Sequence, residues 1–175
     1  MKDKRVIGAA GEHYVLSRLL SRGILAAKAP DGVALIDIVV HQPQPDGALT
    51  FAVAIQVKTR TGKGSSWHMG KKHEDHVEPW LYYAFVDFGP ADAVVYVIPS
   101  VKVAQLVRDQ HAIWLARPGK LGQAHKDSDL RRLGPTWPFE VPGGEVGWME
   151  QYREAWHLLN VRPVDLEATD TQDEL

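Results

Sequence analysis

The sequence predicts an α/β fold, a central mixed sheet of about four to five strands flanked by helices. Three observations predict it. Apolar residues recur at helical spacing between about residues 6 and 22. Two β-rich runs, 33–41 and 49–58, are joined by the turn-forming stretch Gln42-Pro43-Gln44-Pro45-Asp46-Gly47. Two further β-rich runs, 81–88 and 93–98, lead to Ser100, a residue suited to capping a helix.

The first helix draws its apolar stripe from Val15, Leu16, Leu19 and Leu20, and Gly23 punctuates its end. A short strand is expected at Ile24–Ala27, before the hairpin of the two longer runs. After a basic loop, a short helix is expected through Glu74–Trp80, then the two later strands, then a helix from Ser100 to about Asp109. A brief strand at Ala112–Ala116 would precede a polar stretch from Arg117 to Gly147, read as loops because six glycines and four prolines interrupt it. Trp148, Tyr152, Trp156 and Leu159 share a helical spacing, so a closing amphipathic helix is expected over about 148–160, its aromatic stripe packed in the core or against a second copy.

Length fits one domain able to bury its own core, spanning residues 1–162, with the core elements at about 5–110 and an acidic tail at 163–175 expected to be disordered. The chain has no cysteine, which removes disulfides and thiolate metal sites from consideration. With 45% hydrophobic and 24% charged residues and no apolar run of about 18, it reads as a soluble protein without a membrane partner. The residues that open it lack the apolar core of a signal peptide, so cytoplasmic residence is expected.

The net charge of −2 conceals an asymmetry. All 20 Lys and Arg residues but only 17 of the 22 acids precede Pro163, so that portion carries +3. Cations gather after the third strand at Lys58, Arg60, Lys63, Lys71 and Lys72, with His68, His73 and His76 among them and no acid before Glu74. Such a segment can neutralise phosphates, and it can equally be a solvated basic loop. The histidines have irregular spacing and no cysteine beside them, which argues against zinc. Gly62-Lys63-Gly64-Ser65-Ser66 lacks the spacing of a phosphate-binding loop and reads as a flexible lobe.

Strand alternation places the polar residues. In the third strand Phe51, Val53, Ile55 and Val57 point one way, and Ala52, Ala54, Gln56 and Lys58 the other. Asp37 shares its face with Leu35 and Val39, so this carboxylate is set among apolar neighbours and needs a partner. Glu12 lies three, four and seven positions before Val15, Leu16 and Leu19, on or beside the buried stripe. These groups are expected to open to one cleft, with the helix of Glu12 covering that side. A buried Asp37–Lys58 ion pair would explain two of the charges without catalysis. Metal-assisted phosphodiester cleavage would use all of them: hard oxygen ligands suit Mg²⁺, and a lysine can orient a water or stabilise developing charge.

The order of elements, with Glu12 in Gly8-Ala9-Ala10-Gly11-Glu12, Asp37 in the second strand and Gln56-Val57-Lys58 in the third, resembles the PD-(D/E)XK nuclease superfamily over roughly residues 5–110. Gln56 stands where that family usually carries an acid. A Gln-x-Lys variant resembles the branch containing methylated-DNA restriction endonucleases, and the early helix acid also resembles that of the archaeal Holliday-junction resolvases. The resemblance implies a restriction-endonuclease-like core and a metal-dependent endonuclease acting on DNA with Mg²⁺ or Mn²⁺. Glu12, Asp37 and the Val57 carbonyl would then hold metal, Gln56 would contact metal or water, and Lys58 would steer the nucleophile. Arg60, Lys63, Lys71 and Lys72 would touch the nucleic-acid backbone, and a homodimer would suit a double-strand break. The alternative is an inactive module on the same fold, binding nucleic acid or a protein partner.

Overall fold

The computed structural model describes residues 3–30, 32–62, 66–89 and 92–164. Helix α1, Lys4–Leu20, starts at Asp3, whose side chain accepts a hydrogen bond from the Arg5 N–H at 2.9 Å and so satisfies an orphan donor of the first turn. It is followed by Gly23 at φ +71°, a left-handed conformation that glycine tolerates best. Strand β1 is Ala26–Lys28, β2 is Ile38–Pro43, β3 is Leu49–Thr61 and β4 is Trp67–Gly70. A 3₁₀ turn at Lys71–Glu74 leads to β5, Leu81–Phe88, then β6, Val94–Pro99, α2, Ser100–Ala116, and β7, Leu130–Leu133. The five-stranded sheet runs β1-β2-β3-β5-β6, with β3 and β5 parallel and the other neighbours antiparallel. A parallel pair needs a crossover connection. Here β4 and the 3₁₀ turn supply it.

Each sheet face carries its own core. On one, Val15 and Leu19 of α1 pack with Ile38, Val40, Val53, Ile55 and Val57, together with Trp156 and Leu159. On the other, Val103, Leu106 and Val107 of α2 pack with Ala54, Tyr83, Phe85 and Ile98, and with Trp67, Leu133 and Trp148. The α/β architecture with a mixed sheet between helices is therefore the one expected. Helix α1 lies close to β3 because Gly11 has no side chain; a Cβ there would collide with Thr59 Oγ1.

Several local expectations give way to longer-range constraints. The second strand begins at Ile38 rather than Val33, because Leu35 sits at φ +65° and interrupts the alternation that joined it to Asp37 and Val39. A register shift between Val40 and His41 pairs Val40 with Val53 and His41 with Phe51, leaving Ala52 unmatched on β2. Phe51 is consequently 52% exposed and meets Trp80 edge-on instead of joining the core. The helix expected at Glu74–Trp80 is replaced by the earlier 3₁₀ turn, and Pro79 disfavours helical geometry at Glu78.

Helix α2 continues through the residues expected as a strand at Ala112–Ala116, since its buried stripe extends from Val103 and Leu106 to Gln110 and His111. Its N-cap is Pro99; Ser100 Oγ instead accepts from the Glu78 N–H at 3.0 Å and donates to the Glu78 carbonyl at 2.7 Å. The stretch 117–147 is not all loop, because β7 pairs antiparallel with β4. The closing helix is resolved into two 3₁₀ turns, Glu150–Tyr152 and Trp156–Leu159, separated by Glu154 at φ +49°. Trp148, Trp156 and Leu159 are buried all the same, on opposite faces of the sheet. Of the acidic tail, Pro163 and Val164 are described, and Val164 N–H donates to the Gly23 carbonyl at 2.8 Å; residues 165–175 lie outside the described residues.

Candidate active site

Asp37 stands immediately before β2, with its backbone already tied into the sheet: its N–H donates to the Ile55 carbonyl and its carbonyl accepts from Ala29 N–H, each at 2.9 Å. Because Ile38 pairs with Ile55, the next step of the register brings Asp37 beside Gln56 and Val57. Oδ2 of Asp37 accepts from the Val57 N–H at 2.6 Å and from Gln56 Nε2. Gln56 is 7% exposed and also lies 3.4 Å from the Val57 carbonyl oxygen through the same nitrogen. Among the described residues, both hydrogen bonds to the Asp37 carboxylate fall on Oδ2.

Burial pushes the Asp37 carboxyl above the usual carboxylate range, and the nearby negative charge of Glu12 adds to it. The Val57 N–H, the charge of Lys58 and the Gln56 amide act in the opposite direction but do not outweigh the desolvation. Lys58 follows Gln56 on the same face of β3. Burial lowers its pKa, the Asp37 charge raises it, and Lys72 lowers it further. Among the described residues no carboxylate lies within ion-pair distance of Lys58, so the expected alternative of a closed Asp37–Lys58 pair is not formed.

Glu12 approaches from the other side. Helix α1 covers the face of Val53, Ile55 and Val57, whereas Gln56 and Lys58 align with Tyr83 and Phe85 on the α2 face. The helix of Glu12 therefore does not cover the Lys58 side, contrary to expectation. Glu12 nevertheless acts electrostatically on Asp37, and its Oε2 forms an ion pair with Lys28 of β1 at 2.8 Å.

The chain is similar to a solved structure of a bacterial homing endonuclease, I-Ssp6803I, with a TM-score of 0.45 and 16% identity over 91% of this chain and 92% of that one. No family model and no curated protein matches it. The site therefore stands on its own geometry.

Of the expected backbone contacts, Lys71 and Lys72 are exposed in the 3₁₀ turn, and Lys72 is close enough to act on Lys58. Lys63 lies outside the described residues. Arg60 is held inward: its guanidinium lies 3.8 Å over the Trp67 ring and pairs with Asp87 at 2.5 Å. Asp87 escapes a reading of the sequence alone, because only the parallel register of β3 and β5 places it beside Arg60. His73 is equally hidden from sequence. It is buried, 2.8 Å from the Tyr83 hydroxyl through Nδ1, and burial together with Lys58 and Lys72 pushes its pKa down to about 3. A neutral ring so placed is a packing group rather than a phosphate contact.

Lys58 and Arg60 line a cleft of about 420 Å³ with Lys4 and His68, and no described carboxylate lines it. Its charge suits an anion. As metal ligands, the Asp37 and Glu12 carboxylates and the Val57 carbonyl offer hard oxygens. No group of three His, Asp or Glu side chains converges among the described residues. A Mg²⁺ site does not need one, since that ion is commonly held by one or two carboxylates and completes its shell with water and substrate oxygens.

Proposed function

We propose that the chain is a metal-dependent endonuclease hydrolysing phosphodiester bonds in DNA, built on a restriction-endonuclease-like core. The observation that carries this reading is a half-buried carboxylate, Asp37, fixed to the third strand by the Val57 N–H and Gln56, next to Lys58, which has no carboxylate within ion-pair distance among the described residues. Asp37, Glu12 and the Val57 carbonyl would hold Mg²⁺ or Mn²⁺, which when bound polarises the phosphoryl group and lowers the pKa of a water. Lys58 would place its charge at the reacting phosphate and orient the nucleophile. Gln56 keeps Asp37 in position and offers a neutral amide oxygen on rotation of its side chain. The cleft of Lys4, Lys58 and His68, which no described carboxylate lines, with Lys71 and Lys72 beyond it, supports a polyanionic substrate. DNA is the substrate to test first, on the resemblance carried by Glu12, Asp37 and Gln56-Val57-Lys58.

The test is incubation of purified protein with linear, nicked, branched and methylated DNA in Mg²⁺ or Mn²⁺. Wild-type cleavage that disappears in Asp37→Ala supports the reading; no cleavage of any of these substrates overturns it. A second reading, a binding module with a silent site, is favoured by one contact: Lys28 already neutralises Glu12 at 2.8 Å. It predicts DNA binding that is unaffected by divalent ions and never followed by cleavage.

A further inference from the structure

A second cavity, of about 360 Å³, opens between α2, β7 and the segment that follows β7. That volume falls at the small end of ligand pockets, which run from about 300 to 1,000 Å³. Its walls include Trp137 and Phe139. Each ring is braced by a group outside the cavity: Trp148 stacks on Trp137 at 5.9 Å, and Arg117 lies 5.2 Å over Phe139. Two polar groups in this lining lack partners. Trp137 Nε1 is buried with no hydrogen bond, and Gln110, only 8% exposed, has no side-chain hydrogen bond among the described residues. An unpartnered amide in a cavity lined by aromatic rings matches a planar heterocycle bearing hydrogen-bonding edges.

The cavity is joined to the Lys58 cleft. Ser66 lines both, and β4 pairs with β7 so that His68, on the cleft, faces Arg132, on the cavity rim. Both side chains are exposed. A strand whose phosphates lie along Lys58, His68 and Arg132 would have a base within reach of Trp137 and Phe139. The lining also includes buried Arg131, fixed by hydrogen bonds to Glu74 of the 3₁₀ turn and to the Ser128 carbonyl.

We propose that this cavity receives one nucleobase, turned out of its stack, from the nucleic-acid strand whose backbone occupies the Lys58 cleft. This rests on the nucleic-acid reading above and adds to it the recognition of a single base. Stacking on an aromatic ring of the lining would hold the base without regard to identity, and the Gln110 amide would read its edge.

The test compares single-stranded DNA with the same sugar-phosphate backbone lacking bases, both in EDTA so that binding proceeds without cleavage. Wild type should bind the base-bearing strand about tenfold more tightly. Gln110→Ala, which suits a helix interior, and Phe139→Ala should each erode that preference several-fold while leaving affinity for the abasic backbone unchanged. Independently, the indole N–H resonance of Trp137, assigned with Trp137→Phe, should move when deoxynucleoside monophosphates are added. Equal wild-type affinity for the two backbones, equal losses on both in the folded variants, or an unmoved Trp137 resonance would overturn the proposal. The cleavage assay fails separately: base preference without cleavage sinks only the catalytic reading, and cleavage without base preference sinks only the cavity.

Discussion

Asp37 gives one carboxylate oxygen to two donors on β3 and sits where burial disfavours its charge. A cation at that place would favour the charged carboxylate and offset the desolvation, which is the physical reason for proposing the residue as a ligand. Asp37→Ala is expected to abolish metal-dependent cleavage, and Lys58→Ala to lower kcat by about 10²–10³-fold, as removing a transition-state interaction does. Gln56→Glu should tighten Mn²⁺ binding by about 10-fold or more in calorimetric titration and weaken the metal-free protein, because a second carboxylate would then face Asp37. His73 makes a different prediction at the same scale. Its folded pKa of about 3 lies below the ordinary histidine value of 6.5, so the unfolded chain binds the extra proton between those values. Stability from this group is fully present above pH 6.5 and is lost as pH falls toward 3. His73→Gln should flatten the acid limb of a urea-unfolding series by roughly 1.36 kcal/mol per pH unit; an unchanged slope would show that His73 does not titrate this way. The charges facing that ring are Lys58, Lys72 and His76, with the Tyr83 hydroxyl as its hydrogen-bond partner.

At the scale of elements, the chain after α2 is fastened by Glu154, which takes the left-handed conformation between the two closing 3₁₀ turns. Its carboxylate accepts from Arg18 and the Trp156 indole at 2.8 Å, from Arg22 at 3.1 Å and from the Val95 N–H at 3.3 Å. Burial pushes its pKa up, but the Arg18 and Trp156 hydrogen bonds and the Arg18 charge outweigh that and hold it below the usual value. One side chain thus joins α1, β6 and the closing segment. Glu154→Gln keeps the shape and loses the charge, and is expected to cost about 1–3 kcal/mol of unfolding free energy in urea. A loss within about 0.5 kcal/mol, typical of a surface change, would assign the closing segment to its apolar contacts alone.

For the whole molecule, charge distribution decides more than net charge. The cationic cleft, which no described carboxylate lines, and the exposed Lys71 and Lys72 should make DNA affinity fall steeply with salt. Replacing Lys63, Lys71 and Lys72 together by Ala should weaken binding and reduce the slope of log affinity against log salt by about 0.9 for each phosphate of duplex DNA that the variant no longer neutralises. An unchanged slope would remove these residues from the contact surface. If the proposed site is the one catalytic site of each chain, cutting both strands would be a task for two copies. Sedimentation of the protein on duplex DNA should show two chains per cleaved site, whereas a single chain would fit nicking. No helix among the described residues is long and apolar enough to cross a membrane.

The sequence by itself determined the features that depend on near neighbours. The stripe of Val15 and Leu19 marks α1, the turn at residues 42–47 marks the hairpin of β2 and β3, and the runs after Trp80 and Asp92 mark β5 and β6. Gln56 and Lys58 share a face because two residues complete one strand period, and hairpin pairing is enough to bring Asp37 to them. Only the tertiary structure decided what depends on distant partners. Leu35 leaves strand geometry, a bulge turns Phe51 outward, and β7 forms within a glycine- and proline-rich stretch because β4 is there to pair with it. Helix α2 outruns its expected end because its stripe finds the far face of the sheet. Arg60 reads as a surface cation until the β3–β5 register sets Asp87 beside it and the fold brings Trp67 under its guanidinium. Local periodicity carries the first group of features; pairing and burial between residues far apart in the chain, which no short window of sequence contains, create the second.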